Sequence, residues 1–276
     1  MDSVKELNSS NSSLTNQENL NSQQFLDYKT KIRELIHKRE MYFLSLQKNA
    51  NPQIRIKPTS ASAVDCEPNL SEFDGCIGPT NYGHYVEDLP GYGDCRAYVT
   101  YEMYVCTKTT ATQVITSFVF NKFTAVPEPG TDCASLLAGW RNLAMTNQLS
   151  QLKIEMDAFL SIVRQKLEAD WLLLVVDENK TIYDCEDPDA DLLTASFYQS
   201  HCYRYCINTT GGFNFYQSAC SEVCCQTTTK YCWDEIEEEF VIVVIDIDES
   251  SECEDVVVAC NTGYTSAGDC FHNCVP

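Results

Sequence analysis

The stretch Leu152-Lys-Ile-Glu-Met156-Asp-Ala-Phe159-Leu-Ser-Ile-Val163-Arg-Gln-Lys-Leu167 decides the fold class. Its apolar residues recur at i, i+4, i+7, i+11 and i+15, which is one face of an α-helix. Such a stripe is core far more often than it is a cofactor box. A shorter helix with Leu136, Leu137, Trp140 and Leu143 precedes it, capped by Thr131 or Asp132, and the chain bends near Thr146–Gln148. On either side the period drops to two. Cys95–Cys106 alternates Val99, Tyr101, Met103 and Val105 with Tyr98, Thr100, Glu102 and Tyr104, and a second strand near Gln113–Phe123 completes a hairpin. Further strands are expected at Trp171–Val176, Ser196–Cys206, Phe213–Cys224, Thr227–Trp233 and Phe240–Asp248. Strands flanking one helical hairpin give an α+β class: a disulfide-rich antiparallel β body with a helical insert.

An N-terminal arm precedes this body. Residues 1–22 are nearly all Asn, Ser, Gln, Leu and Glu without periodicity, the composition of a disordered tail. Residues 23–48 read as an amphipathic helix, with Phe25, Tyr28, Ile32, Leu35, Tyr42 and Leu46 on the face that would bind a partner. Asn51-Pro52 ends it, and 49–65 is an extended linker to the body at 66–276. Residues 1–57 hold nine bases against six acids, whereas the other 219 residues hold 34 acids against 10 bases. A basic arm thus adjoins a strongly acidic body, and the arm suits the acidic surface of a neighbouring subunit. The net charge of −21 argues against nucleic acid. No apolar run reaches the roughly 18 residues of a membrane span.

All 16 cysteines lie from Cys66 onward, and eleven fall from Cys185 to Cys274. That density marks a disulfide scaffold and an oxidising compartment, although residues 1–22 lack the basic and apolar regions of a secretory signal. Five cysteines lie before Cys185 and eleven from it onward, so complete pairing requires at least one bridge between the groups. Zinc is the competing reading. Its spacings are poor here, because Cys202-x3-Cys206, Cys220-x3-Cys224 and Cys270-x3-Cys274 sit on strand-like segments. Cys95 and Cys106 are further disulfide candidates.

An internal repeat sharpens one pairing. Phe197–Cys206 and Phe215–Cys224 share six of ten residues at an offset of 18, separated by the turn signal Asn208–Gly212. A hairpin whose paired numbers sum to 422 would set Cys202 opposite Cys220, Cys206 opposite Tyr216 and Tyr198 opposite Cys224.

Signals for chemistry are sparse. No Gly-x-Ser-x-Gly, phosphate loop, dinucleotide fingerprint or His-Glu-x-x-His occurs. Cys133, near a helix N-terminus, has the setting of an activated thiolate, but a bridged or buried cysteine is the commoner use of that position. Asp187, Asp189 and Asp191 offer alternate carboxylates to Ca²⁺ without forming an EF-hand, since Leu192 and Tyr198 stand where Gly and Glu are needed. The strand tyrosines either fill a sheet face or bind protein or carbohydrate. These features lead to a non-enzymatic structural or interaction subunit of an extracellular or particle assembly, virion-like or filamentous, binding itself or other protein subunits. No cofactor is expected beyond possible use of Ca²⁺. A secreted carbohydrate- or Ca²⁺-binding module and a Cys133 hydrolase are the alternatives.

Overall fold

The computed structural model describes residues 66–272 apart from 110–113, 129–131, 180–182, 188–190, 201, 221–223, 250–258 and 269. The chain divides into two units, Met1–Arg55 and Ile56–Pro276, and the described residues belong to the second. The expected arm and its helix, with Phe25, Tyr28, Ile32, Leu35, Tyr42 and Leu46, lie outside the described residues.

The unit is mixed α+β, mostly sheet with two helices. Six strands form the larger sheet: β1 (Gly75–Val86), β2 (Ala97–Thr109), β3 (Val114–Pro127), β4 (Leu193–Ser200), β7 (Cys224–Asp234) and β8 (Glu239–Glu249), in the order β1-β2-β3-β4-β7-β8. The smaller sheet contains β5 (Cys202–Asn208) and β6 (Asn214–Ala219), with the two-residue strands β9 (Thr265–Ser266) and β10 (Phe271–His272). Between β3 and β4 run the helices α1 (Cys133–Met145) and α2 (Leu149–Asn179).

The expected hairpin of β2 and β3 forms, with Ala97, Val99, Tyr101, Met103 and Val105 buried and the alternate residues half-buried. The helical hairpin also forms, turning at Asn147 with a φ of 58°. Asp132 occupies the N-cap position of α1 without a side-chain capping bond. Its carboxylate instead accepts the Asp94 amide at 3.0 Å.

The body is not wholly antiparallel. β3 and β4 pair in parallel, Ser117 opposite Thr194 through Asn121 opposite Tyr198. Parallel neighbours cannot be joined by a tight turn, so the helical hairpin is the crossover between them. Trp171–Val176 is also not a strand. A short apolar run has no periodicity of its own, and Trp171, four residues beyond Leu167, simply continues the α2 stripe. Ser196–Cys206 is two strands rather than one, because the chain leaves the larger sheet after Ser200 and enters the smaller one at Cys202. β1 has no counterpart among the expected strands, since its Gly75, Gly78, Pro79 and Gly83 read as breakers. It lies at a sheet edge, where proline is tolerated, and the register slips between Ile77 and Thr80. A Cβ on Gly78 would lie 2.7 Å from the Met103 carbonyl oxygen, so that position requires glycine.

All the described cysteines are bridged. Cys66–Cys224 joins the chain entering the body to β7, Cys76–Cys106 crosses β1 and β2, and Cys95–Cys133 ties the approach to β2 to α1. Cys185–Cys232 holds the α2–β4 loop on β7. Cys206–Cys260 and Cys220–Cys270 fasten the smaller sheet to the C-terminal segment. Cys66–Cys224 spans the early and late cysteine groups, as their odd counts require. β5 and β6 pair in the register summing to 422, Tyr203 opposite Ala219 and Cys206 opposite Tyr216. The Cys220 amide donates to the Cys202 carbonyl at 2.9 Å, yet Cys220 bonds Cys270. Tyr198 lies in the other sheet, opposite Gln226, and Cys224 lies opposite Ser200. Cys274 is outside the described residues.

A bridge stabilises roughly in proportion to the logarithm of the loop it closes. Replacing Cys66 and Cys224 together by Ser, a separation of 158 residues, is expected to cost about 5 kcal/mol. The same change at Cys76 and Cys106, a separation of 30, should cost about 3.5 kcal/mol. Denaturant unfolding of the two double variants gives the order, which reverses if loop closure does not set the effect.

Candidate functional site

Two features combine unusual chemistry with definite geometry: a polar row buried along α2, and β8, the edge strand of the larger sheet among the described residues. The row sits beside the apolar stripe, in which Leu152, Met156, Phe159, Val163, Leu167 and Trp171 are fully buried. Asp157 accepts hydrogen bonds from the Tyr203 hydroxyl at 2.8 Å and the Tyr205 hydroxyl at 2.6 Å, and Lys153 reaches its other oxygen at 2.8 Å. Burial raises both tyrosine pKa values, and the adjacent carboxylate adds to the effect. Asp157 thereby ties α2 to β5 in the smaller sheet.

Further along the helix, Arg164 and Glu168 face the larger sheet. Their nearest atoms, Nε and Oε1, are 3.9 Å apart, and the guanidinium lies 5.1 Å above the Phe197 ring. The Tyr231 hydroxyl on β7 donates to Glu168. Burial pushes the Glu168 carboxyl up to about 7, against the opposing pull of Arg164 and of its hydrogen bonds from Tyr231 and Thr229. Burial likewise lowers Arg164. A carboxyl that titrates near neutrality suits a general acid or base. Glu168 is only 2% exposed, however, and meets protein on the faces that Arg164, Thr229 and Tyr231 supply. Its evident work is to tether α2 to the sheet.

The second feature is a surface. Among the described residues β8 pairs only with β7. Thr227, Thr229 and Tyr231 of β7 are buried on the helix side, and Ile247, Ile245 and Ile242 lie opposite them, so these isoleucines share that face. They remain 42%, 40% and 41% exposed, and Val241 and Val243 are exposed as well. Val243 is the extra residue of a β-bulge, where Lys230 pairs with Val244 and Tyr231 with Ile242. Asp246 falls on the opposite face, where it accepts from Lys230 at 2.7 Å. Acids crowd both ends, with Glu235, Glu237, Glu238 and Glu239 at the turn and Asp246, Asp248 and Glu249 at the far end.

Folded proteins usually blunt such edges with proline, lysine or short length. β1, the opposite edge, carries Pro79, whereas β8 has no proline and is 11 residues long with the apolar run Phe240–Ile245. Regular alternation fails there, because Phe240–Ile245 has no polar residue. Such a run carries no period that tells a buried strand from an exposed edge.

The remaining expected sites divide as follows. Cys133 is fully buried and bridged to Cys95, so it offers no thiolate. Asp187 and Asp191 lie within the α2–β4 loop, while Asp189 lies outside the described residues. No group of three or more His, Cys, Asp or Glu gathers to hold a metal among the described residues. Tyr101, Tyr198, Tyr203, Tyr205 and Tyr231 are buried and fill the core. No described helix is long and apolar enough to cross a membrane. No protein-family model, curated protein or solved structure matches this chain.

The Glu168 shift has a signed consequence. In the unfolded chain this group ionises near 4.5, and the folded protein keeps its proton to about 7. The folded state binds more protons in that window, so the contribution of Glu168 to stability falls as pH rises from about 4.5 to about 7. Glu168→Gln should remove this part of the slope. Urea midpoints at pH 5 and pH 8 for both proteins test it: parallel profiles would contradict the assignment.

Proposed function

We propose that the chain is a non-enzymatic structural or interaction subunit of an extracellular or particle assembly, virion-like or filamentous. It docks onto further copies or other protein subunits through its N-terminal helix and arm. The observation that carries this reading is the long apolar edge of β8, left half-exposed on a body whose described cysteines are all bridged. A contiguous apolar surface rimmed by charge is the form of a protein-binding site. The bridges support an oxidising location. The charge contrast between the basic arm and the acidic body supports docking between subunits.

The test is sedimentation velocity of the oxidised full-length protein from low to high micromolar concentration. Concentration-dependent association is expected, weaker at high salt because opposite charges contribute to it. The triple variant Phe25→Asp/Ile32→Asp/Leu35→Asp should weaken it at least tenfold while leaving the near-ultraviolet dichroism of the body unchanged. A protein that stays monomeric at high micromolar concentration contradicts the reading.

A further inference from the structure

We propose that the β8 edge is the acceptor for residues 53–57 of a second copy, which add to the larger sheet as a seventh strand. This rests on the assembly reading above and names its contact.

The match lies in two short sequences. The far end of β8 reads Ile245-Asp246-Ile247-Asp248, and the linker reads Ile54-Arg55-Ile56-Lys57. Successive residues of a strand point to opposite faces, so each segment has an isoleucine face and a charged face, and the charges are of opposite sign. Laid in parallel, Ile54 and Ile56 fall beside Ile245 and Ile247, while Arg55 and Lys57 fall beside Asp246 and Asp248. The apolar pairs would cover the row that the helix layer leaves about two-fifths exposed. The basic residues would join the Lys230–Asp246 pair on the other face. Main-chain bonds along the free edge supply affinity, and the alternating side chains supply the register.

Two further observations fit this occupant. Pro52 and Pro58 bracket the segment, and proline cannot donate to a ladder, so the added strand is limited to five residues. The first described residue, Cys66, also lies close to this edge. Cys66 is bridged to Cys224, and the next residue, Cys225, lies opposite Glu249 at the end of β8. Eight residues lie between Lys57 and Cys66, so the chain between them reaches up to about 30 Å. Two copies meeting at this end can therefore exchange segments reciprocally, which gives a closed two-fold arrangement.

The experiment uses full-length oxidised protein, prepared with and without ¹⁵N and mixed in equal amounts after dissociation. A zero-length carbodiimide cross-linker joins amines to carboxylates, and mass spectrometry reads which isotopes each linked pair carries. Links from Lys57 to the Asp246–Glu249 stretch that combine light and heavy peptides are expected. Ile54→Lys/Ile56→Lys and Ile245→Lys/Ile247→Lys should each weaken self-association at least tenfold. Arg55→Glu/Lys57→Glu should weaken it and recover when combined with Asp246→Arg/Asp248→Arg. If the protein assembles but none of these variants changes the association, or if the Lys57 links arise only within one chain, the inference is wrong and the assembly reading stands. If the protein never associates, that reading fails as well.

Discussion

The buried face of α2 carries contacts to both sheets, and the arrangement of the body depends on them. Its apolar stripe supplies the burial, with Trp171 packed against Tyr82 and Phe118 and donating its indole N–H to Tyr101 at 2.8 Å. Apolar contact alone is non-directional, so it does not fix which sheet meets which part of the helix. The polar groups beside the stripe do so. Asp157 selects Tyr203 and Tyr205 of β5, and Glu168 selects Tyr231 of β7. A buried carboxylate without its partner is costly, so slippage along the helix axis is strongly disfavoured.

The bridges do a different job. The smaller sheet is held by two strands of ordinary length and two that contribute two residues each, too few for independent stability. Cys206–Cys260 and Cys220–Cys270 fix the C-terminal segment there covalently. Cys95–Cys133 and Cys185–Cys232 anchor the two ends of the helical crossover to the strands around it. In a body with 33 acids against 10 bases, constraining the unfolded chain offsets part of the mutual repulsion.

Elements with a strong period were legible in the sequence: the α2 stripe, the β2–β3 hairpin and the β5–β6 register. The parity of the cysteine groups also anticipated a bridge such as Cys66–Cys224. What escaped were features set by tertiary context. Trp171–Val176 continues a helix because the stripe before it propagates, which a six-residue window does not reveal. The parallel pairing of β3 and β4 is invisible to local pattern, as is the change of sheet between Ser200 and Cys202. Partner choice among sixteen cysteines depends on three-dimensional proximity of the sulfurs, which is why Cys220 bonds Cys270 although its backbone hydrogen bond in the hairpin is to Cys202. Of the candidate site residues, Asp187, Asp189 and Asp191 drew attention by their alternate spacing and Cys133 by its place near a helix N-terminus, while nothing in the local pattern of Phe240–Asp248 says which strand of a sheet is the edge.

That edge sets the functional account apart from a purely structural description, because its two halves point to one kind of occupant. An apolar row next to a row of acids favours an alternating apolar and basic strand, and helix or loop partners would leave its main-chain groups unpaired. The most direct measurement is amide hydrogen exchange along β8 in the full-length oxidised protein, compared at dilute and assembling concentrations. Slowed exchange confined to Val244–Glu249, at the amides not already bonded to β7, is the predicted result. Unchanged exchange along β8 in protein that has assembled would contradict the account.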